Sequence, residues 1–422
     1  MDLYMKRHLT RILEFCLVQI FWLPLIAQAP SGVAPVTLQQ AVDLARMRNP
    51  ALLSAQQHVS ATRAGEITAG LRQNPTLAFA GQDMTLPADN PGNPYIYTAN
   101  VSRLFERGEK RRWRLDSART TTQVTESQYQ DQERQVLLNV KTAFTNMLLA
   151  KQALSLSEDN LGGYRHTVDL SHERLKAGDI SETDFERIDL QLAAFESDEE
   201  SARLNLVQAS DQLQLLLGVV RPDAHFDIAG SLDSPAFNLT LEQVEQQALQ
   251  HRPDYKAAQQ SVALWQANVH VAESMGTTDP TIASEYERSG NDNTFGASVS
   301  IPLRIFDRNQ GEKQRTRYEL ESSKFGEIAA RSQVYSDVAQ AWASYEAAIA
   351  QARRYNGHYL QEAVHVRDNL EFSYRQGSTT LLDYLDALRD YRQTHLDALN
   401  ANAQVWLSVH QLSFAAATEI LP

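Results

Sequence analysis

The sequence predicts a mainly helical protein that also carries a membrane β-barrel, with one plan built twice along the chain. Three observations predict it. Two stretches, one near the start and one near the middle, align without a gap and are followed by matching blocks in the same order. Each half holds long runs in which apolar residues recur every three or four positions, the pattern of supercoiled helices. Each half also holds two β-prone segments of about 9–11 residues, the length of a tilted strand crossing a bilayer.

The chain has 422 residues, 43% of them hydrophobic and 22% charged, with a net charge of −13. That balance belongs to a folded protein and disfavours nucleic-acid binding, which needs a basic face. Residues 1–29 read as a signal peptide. Lys6, Arg7, His8 and Arg11 precede an apolar stretch from Ile12 to Ile26, and Ala27 and Ala29 form a small-residue cleavage pattern. Cys16, the only cysteine, lies inside that segment, so the exported chain has neither a disulfide framework nor a thiolate metal site. No later segment is apolar for the roughly eighteen residues a membrane helix needs.

The first repeat runs over 36–217 and the second over 239–421, joined by a Pro-, Gly-, Ser- and Asp-rich stretch, 218–238. Thr37-Leu38 matches Thr240-Leu241, Pro50 matches Pro253, and Gln56-Gln57 matches Gln259-Gln260. Each Thr is a plausible N-cap before an apolar-periodic run. In the first repeat TLAFAGQDM from Thr76, a turn-rich loop ADNPGNP, and YIYTANVSRLF from Tyr95 read as a β-hairpin. In the second, TIASEYERS from Thr281 and TFGASVSIPLRIF from Thr294 flank the loop GNDN. Leu77, Phe79 and Gly81 alternate with Ala78, Ala80 and Gln82, and Tyr95, Tyr97, Ala99 and Val101 form a face with tyrosines at one end, as in an interfacial belt.

Long helical runs follow each hairpin. Val136, Val140, Ala143, Met147, Ala150, Leu154 and Leu161 hold one seam, and Phe185, Ile188, Leu192, Phe195, Ala202, Leu206, Ala209, Leu213 and Leu216 its partner. Val338, Trp342, Tyr345, Ile349, Ala352, Tyr359, Ala363, Val366 and Leu370 repeat the pattern. A helix from about Arg107 to Leu175 would extend roughly 100 Å at 1.5 Å per residue. Four strands cannot close a barrel, and an open sheet edge is not tolerated in lipid. If the strands span a membrane, copies must combine, and three copies give twelve strands, an even number within the range of outer-membrane barrels; the alternative is a small soluble β-domain. The helices alone would also suit a periplasmic coiled-coil adaptor, but that reading leaves the two hairpins without a role.

With these parts assembled, residues 36–421 resemble the TolC-like outer-membrane efflux protein family: the Thr-Leu starts followed by Asn-Pro or Arg-Pro, the two hairpins, and two glycine blocks, RLKAGDISETDF around Gly178 and YRQGSTTLLDYL around Gly377. The resemblance implies a homotrimer with a twelve-stranded β-barrel in the outer membrane and a helical periplasmic tunnel. It also implies docking to a periplasmic adaptor and a proton-driven inner-membrane pump. It makes Leu175, Gly178, Asp179, Ile180 and Ser181, with Arg375, Gly377, Ser378 and Thr379, the tips that touch the adaptor. Asp383 and Asp386, three apart on one helix face, would ring the narrow entrance, with Tyr374, Thr183 and Asp184 among its closing contacts. Six carboxylates brought together would favour cations and raise some of their pKa values. Thr379 stands where the family's best-known member has an arginine, so Arg375 is the candidate for a closing ion pair.

No phosphate-binding glycine loop, zinc motif or acid–base couple stands out, so the expectation is a channel without catalytic residues, cofactor or resident metal. The segment ERGEKR, Glu106 to Arg111, resembles the E-L-G-G-K-R stretch of the family's cobalt–zinc–cadmium resistance branch. That favours metal-ion export over drug export, while Lys110, Arg111 and Arg112 alternatively only mark where the chain leaves the membrane.

Overall fold

The computed structural model describes residues 35–82, 95–233, 237 and 239–420. The expected signal peptide at 1–29 and the loop ADNPGNP lie outside the described residues. The first half contains α1 (Leu38–Arg48), α2 (Pro50–Gly70), β1 (Thr76–Gln82), β2 (Ile96–Leu104), α3 (Lys110–Ala177) and α4 (Glu182–Leu216). The second contains α5 (Leu241–His251), α6 (Pro253–Ser274), β3 (Thr281–Ser289), β4 (Asp292–Ser300), α7 (Gln310–Arg354), α8 (Leu360–Arg375) and α9 (Leu381–Ala416).

The local chemistry of the two halves is alike. Thr37 caps α1 and Thr240 caps α5, each in a reciprocal box with the glutamine three residues on, Gln40 or Gln243. Each first helix then breaks before a proline. Pro50 and Pro253 hold the preceding Asn49 and Arg252 extended, with ψ near 120°. Asn49 turns that break to use: its Oδ1 accepts from Ala51 N at 2.9 Å, and its Nδ2 donates to Leu216 O at 2.8 Å, tying α2 to the end of α4.

The 68-residue α3 is the spine of the molecule, about 100 Å long at 1.5 Å per residue. Toward the strands it packs on α2 and α6, and α6 packs on α7; away from the strands α3 packs on α4 and α9, and α9 on α8. One flank is thus β1, α2 and α4, and the other is β4, α7 and α8. At the waist, Val140, Phe144, Met147, Leu213, Ile228 and Ala41 form a buried core. Part of the 218–238 stretch is built into it: Val36 N donates to Asp227 O and Ala229 N to Val36 O, both at 3.0 Å.

The strands form one antiparallel sheet in the order β1-β2-β3-β4. Its register sorts the side chains. Leu77 pairs with Val101 and Phe79 with Ala99. Ala99 pairs with Tyr286 and Arg103 with Ile282. Tyr286 pairs with Phe295 and Ile282 with Val299. All of these share one face, because directly opposed residues lie on the same side of the sheet. The other face carries Thr98, Asn100, Ser102, Glu285, Glu287, Thr294, Ser298 and Ser300. β4 ends at Ser300, short of the expected Phe306, because Pro302 has no N–H for a ladder and β4 has no described neighbour on that side.

One expectation about the helices needs correction. The seam from Val338 to Leu370 does not run unbroken: a π-helical turn, Tyr355–Tyr359, separates α7 from α8. The extra residue rotates α8 relative to α7, so Val338 and Ala352 are buried but Tyr359 and Val366 are exposed.

Candidate functional site

Both glycine blocks are turns between long helices, and both close in the same way. At the end of α3, Gly178 adopts φ 79°; its N–H donates to Leu175 O at 3.0 Å, and Asp179 N donates to Arg174 O at 2.8 Å. At the end of α8, Gly377 has φ 71°, with Gly377 N to Tyr374 O at 3.0 Å and Ser378 N to Ser373 O at 2.9 Å. This is a Schellman closure, in which a left-handed glycine satisfies the last carbonyls of a helix. The next helix begins at once in each case. Ser181 Oγ accepts from Asp184 N at 3.1 Å, and Thr380 Oγ1 accepts from Asp383 N at 3.2 Å.

The turns lie side by side. The Arg174 guanidinium sits over the Tyr374 ring, 5.3 Å from its centroid. Tyr374 stacks on Tyr384 at 5.3 Å with the rings 3° from parallel. Behind them Leu161, Tyr164, Ile188, Phe195, Leu381 and Tyr384 form a buried cluster drawn from α3, α4 and α9. Tyr164 stacks on Phe195 at 4.3 Å and donates to Ile188 O at 2.8 Å. Arg392 pairs with Asp198 and lies over Phe195, beside a cavity of about 440 Å3 between α3, α4 and α9. Burial raises the Tyr374 hydroxyl's pKa, with Arg174 opposing and Asp184 adding to the rise.

The structure therefore brings together at one end of the molecule Leu175, Gly178, Asp179, Ile180, Ser181, Thr183 and Asp184 from the first turn with Tyr374, Arg375, Gly377, Ser378, Thr379, Asp383 and Asp386 from the second. Asp383 also has a local task. Its Oδ2 accepts from Thr380 Oγ1 at 2.6 Å, Thr379 Oγ1 at 3.2 Å and Thr380 N at 3.3 Å. In the single chain these bonds, the Thr380 hydroxyl first, hold its carboxyl below the usual aspartate range. Asp386 pairs with Arg389 at 2.9 Å, and Arg375 pairs with Glu371 one turn back on α8. The residues that sequence reasoning missed are Arg174, Tyr164 and Arg392; the Arg392–Asp198 pair joins helices far apart in sequence and the Tyr164 contacts cross the α3–α4 turn, neither of which periodicity registers.

The ERGEKR segment is split by the fold. Gly108, at φ 68°, has no room for a Cβ, which would lie 2.8 Å from Thr277 Oγ1. Lys110 is buried, its Nζ donating to Asp279 Oδ2 at 2.5 Å and Thr277 O at 2.7 Å, while Arg111 and Arg112 are exposed. Lys110 thus fastens β2–α3 to α6–β3. Among the described residues, no group of three or more His, Cys, Asp or Glu side chains could hold a metal ion, and no helix is long and apolar enough to cross a membrane.

The profile of the family described as outer membrane efflux protein matches residues 41–219 and 244–418. The cobalt-zinc-cadmium resistance protein CzcC of Cupriavidus metallidurans is 24% identical over 377 residues, 89% of this chain and 88% of that protein. The outer membrane protein TolC of Escherichia coli is 23% identical over 309 residues, 68% of this chain and 62% of that one. Among solved structures, CusC superposes with a TM-score of 0.78 at 20% identity, covering 90% of this chain and 91% of its own. The outer-membrane channel OprN gives 0.73 at 19%, covering 91% of each chain.

Proposed function

The chain belongs to the outer membrane efflux protein family, and from that premise we propose that it is one of three identical subunits of an export duct, with its sheet in the outer membrane and its helices in the periplasm. The observation that carries this reading is the sheet: four antiparallel strands, one apolar face, one polar face, and edges β1 and β4 each paired on one side only among the described residues. In lipid such edges must be covered by another chain. An even number of antiparallel strands leaves β1 and β4 running in opposite directions, so β4 of one copy can pair antiparallel with β1 of the next. The apolar face then meets lipid and Asn100, Glu285 and Glu287 line the pore, the alternation of outer-membrane barrels.

The helical flanks support the same ring. α7 exposes Tyr318, Phe325, Ile328 and Tyr335 on heptad spacing, and α4 on the other flank exposes Leu190, Leu204, Val207 and Leu215. These are seams without a partner in one chain. At the far end the paired tips dock a periplasmic adaptor through Leu175, Gly178, Asp179, Ile180, Ser181, Arg375, Gly377, Ser378 and Thr379. Asp383 and Asp386, with Thr183, Asp184 and Tyr374, form the entrance. The energy comes from a proton-driven inner-membrane pump.

The exported substrate in this reading is a metal ion. Support comes from the similarity to CzcC, whose name is a cobalt-zinc-cadmium resistance protein, and to CusC of Escherichia coli, a cation efflux system protein 26% identical over 286 residues. The test is a deletion strain profiled against cobalt, zinc, cadmium, copper, silver, dyes and antibiotics. Sensitivity confined to metal ions is the expected result; sensitivity to organic compounds alone would reassign the duct to drug export.

A further inference from the structure

Resting on the reading above that the sheet lies in the outer membrane, we infer that the elbow between β2 and α3 binds the phosphate of an anionic glycerophospholipid from the periplasmic leaflet. A hollow of about 950 Å3 opens at this elbow, and Arg72, Arg103, Arg111, Arg112 and Arg119 all line it. Its volume falls within the roughly 300–1,000 Å3 of small-ligand sites.

The strand register puts part of this hollow on the side that meets lipid. Arg103 pairs with Ile282 and stands on the apolar face, two residues past Val101. Phe105 N donates to Pro280 O at 2.9 Å. That bond carries the ladder one residue beyond the strand, so Phe105 falls on the same side as Arg103. The Arg103 guanidinium lies over the Phe105 ring, 5.1 Å from its centroid. At the end of a lipid-facing strand such a pair sits at headgroup level, with the arginine stem in the apolar layer and its charge among the phosphates. The combination recurs at the start of α3, where the Arg112 guanidinium is 4.9 Å from the Trp113 ring centroid.

The positive charge is not neutralised by the elbow itself. Three carboxylates also line the hollow. Glu106 is held by Arg114 and Glu109 by Arg112 at 2.9 Å, which leaves Asp116. Arg119 reaches Glu66 only at 3.9 Å. Among the described residues, Arg72, Arg103 and Arg111 take part in no ion pair.

The second half of the chain supplies a contrast. α7 begins at Gln310 after the left-handed Asn309, as α3 begins at Lys110 after the left-handed Glu109. Counted from these starts, Arg111, Arg112 and Arg119 correspond to Gly311, Glu312 and Glu319. There Arg315 bridges Glu312 at 2.6 Å and Glu319 at 3.6 Å, so that helix face closes its charges on itself. A general basic belt at the membrane boundary would mark both elbows alike, and only the first has the open arginine cluster. The ERGEKR segment then has two tasks: Lys110 fastens the elbow to Asp279, and Arg111 lines the lipid site.

Native mass spectrometry of the purified full chain in detergent tests it. Dioleoylphosphatidylglycerol should be retained at one molecule per chain, and at lower concentration than dioleoylphosphatidylcholine, which has the phosphate without net charge. Arg103→Gln, Arg111→Gln and Arg112→Gln together should raise the phosphatidylglycerol concentration required by roughly tenfold or more. Lys313→Gln, Arg315→Gln and Arg317→Gln together, the same change of charge at the second elbow, should leave it unaltered. The single exposed change Arg111→Glu should act in the same direction as the first triple variant, and it replaces that variant if the triple does not fold. Equal loss from both triples, or none from the first, would overturn the site. Displacement of the lipid by millimolar inorganic phosphate would assign the hollow to a soluble anion and overturn the lipid. A chain recovered in the soluble periplasmic fraction would overturn the membrane reading itself, a result distinct from an inserted protein that retains no lipid.

Discussion

Asp383 shows how one carboxylate serves two ends. It closes the cap of α9 through Thr380, and it sits at the proposed entrance. Asn can still accept the capping bonds, whereas Ala cannot, and losing a cap costs about 1 kcal/mol. Asp383→Asn is therefore expected to raise single-channel conductance and weaken block by multivalent cations in planar bilayers with helix stability kept; Asp383→Ala should change both. Equal currents for the wild type and Asp383→Asn would remove Asp383 from the entrance. His410 is the other residue with a legible charge state. It is buried against Thr145 Oγ1 at 3.0 Å, and burial, with Lys141 adding to it, pushes its pKa down to about 4 from 6.5. The unfolded chain then binds a proton that the folded one refuses between those values. Stability is thus full above pH 6.5 and falls as the pH drops toward 4, by about 3 kcal/mol in all at about 1.4 kcal/mol per unit. His410→Gln should flatten that part of a thermal-melting profile against pH; an unchanged slope would assign it to other groups.

Among the elements, the turns separate by what surrounds their glycines. Gly178 and Gly377 are left-handed but open, with nothing within 4 Å of an added Cβ. Gly178→Ala and Gly377→Ala should each cost only the left-handed penalty, about 1–2 kcal/mol, and leave assembly intact. Gly218 is left-handed and closed in, its added Cβ 2.4 Å from Arg48 O, so Gly218→Ala should cost clearly more and lower the yield of folded protein. Comparing the denaturation midpoints of the three variants checks the order. The two glycine turns were placed by the resemblance of their blocks, and the structure adds the local chemistry that closes them: glycine, then Ser181 or Thr380, then an aspartate three residues on. The strands were legible in position, but their ends were not, since β4 stops before Pro302 and has no described neighbour on its outer side. The π-turn at Tyr355–Tyr359 was hidden because Tyr345, Ala352 and Tyr359 keep heptad spacing on paper, and only the backbone reveals the added residue.

At the scale of the whole molecule, the order of elements could be read from the matched blocks, and the face of the sheet from Leu77, Phe79 and Val101. The pairing of β2 with β3 could not, because it joins hairpins separated by nearly half the chain. In the trimer proposed above, the two edges that are unpaired among the described residues have a consequence for how the duct would come into being. Adding one copy to another covers one edge on each, yet the growing arc still ends in two uncovered strands, as the single chain did. Lengthening the arc does not diminish that liability; only the copy that completes the circle abolishes it, and it abolishes both ends together. In the proposed ring the reward for association is concentrated in the last step, so partial arcs would be transient and a bilayer would accept the finished ring or nothing.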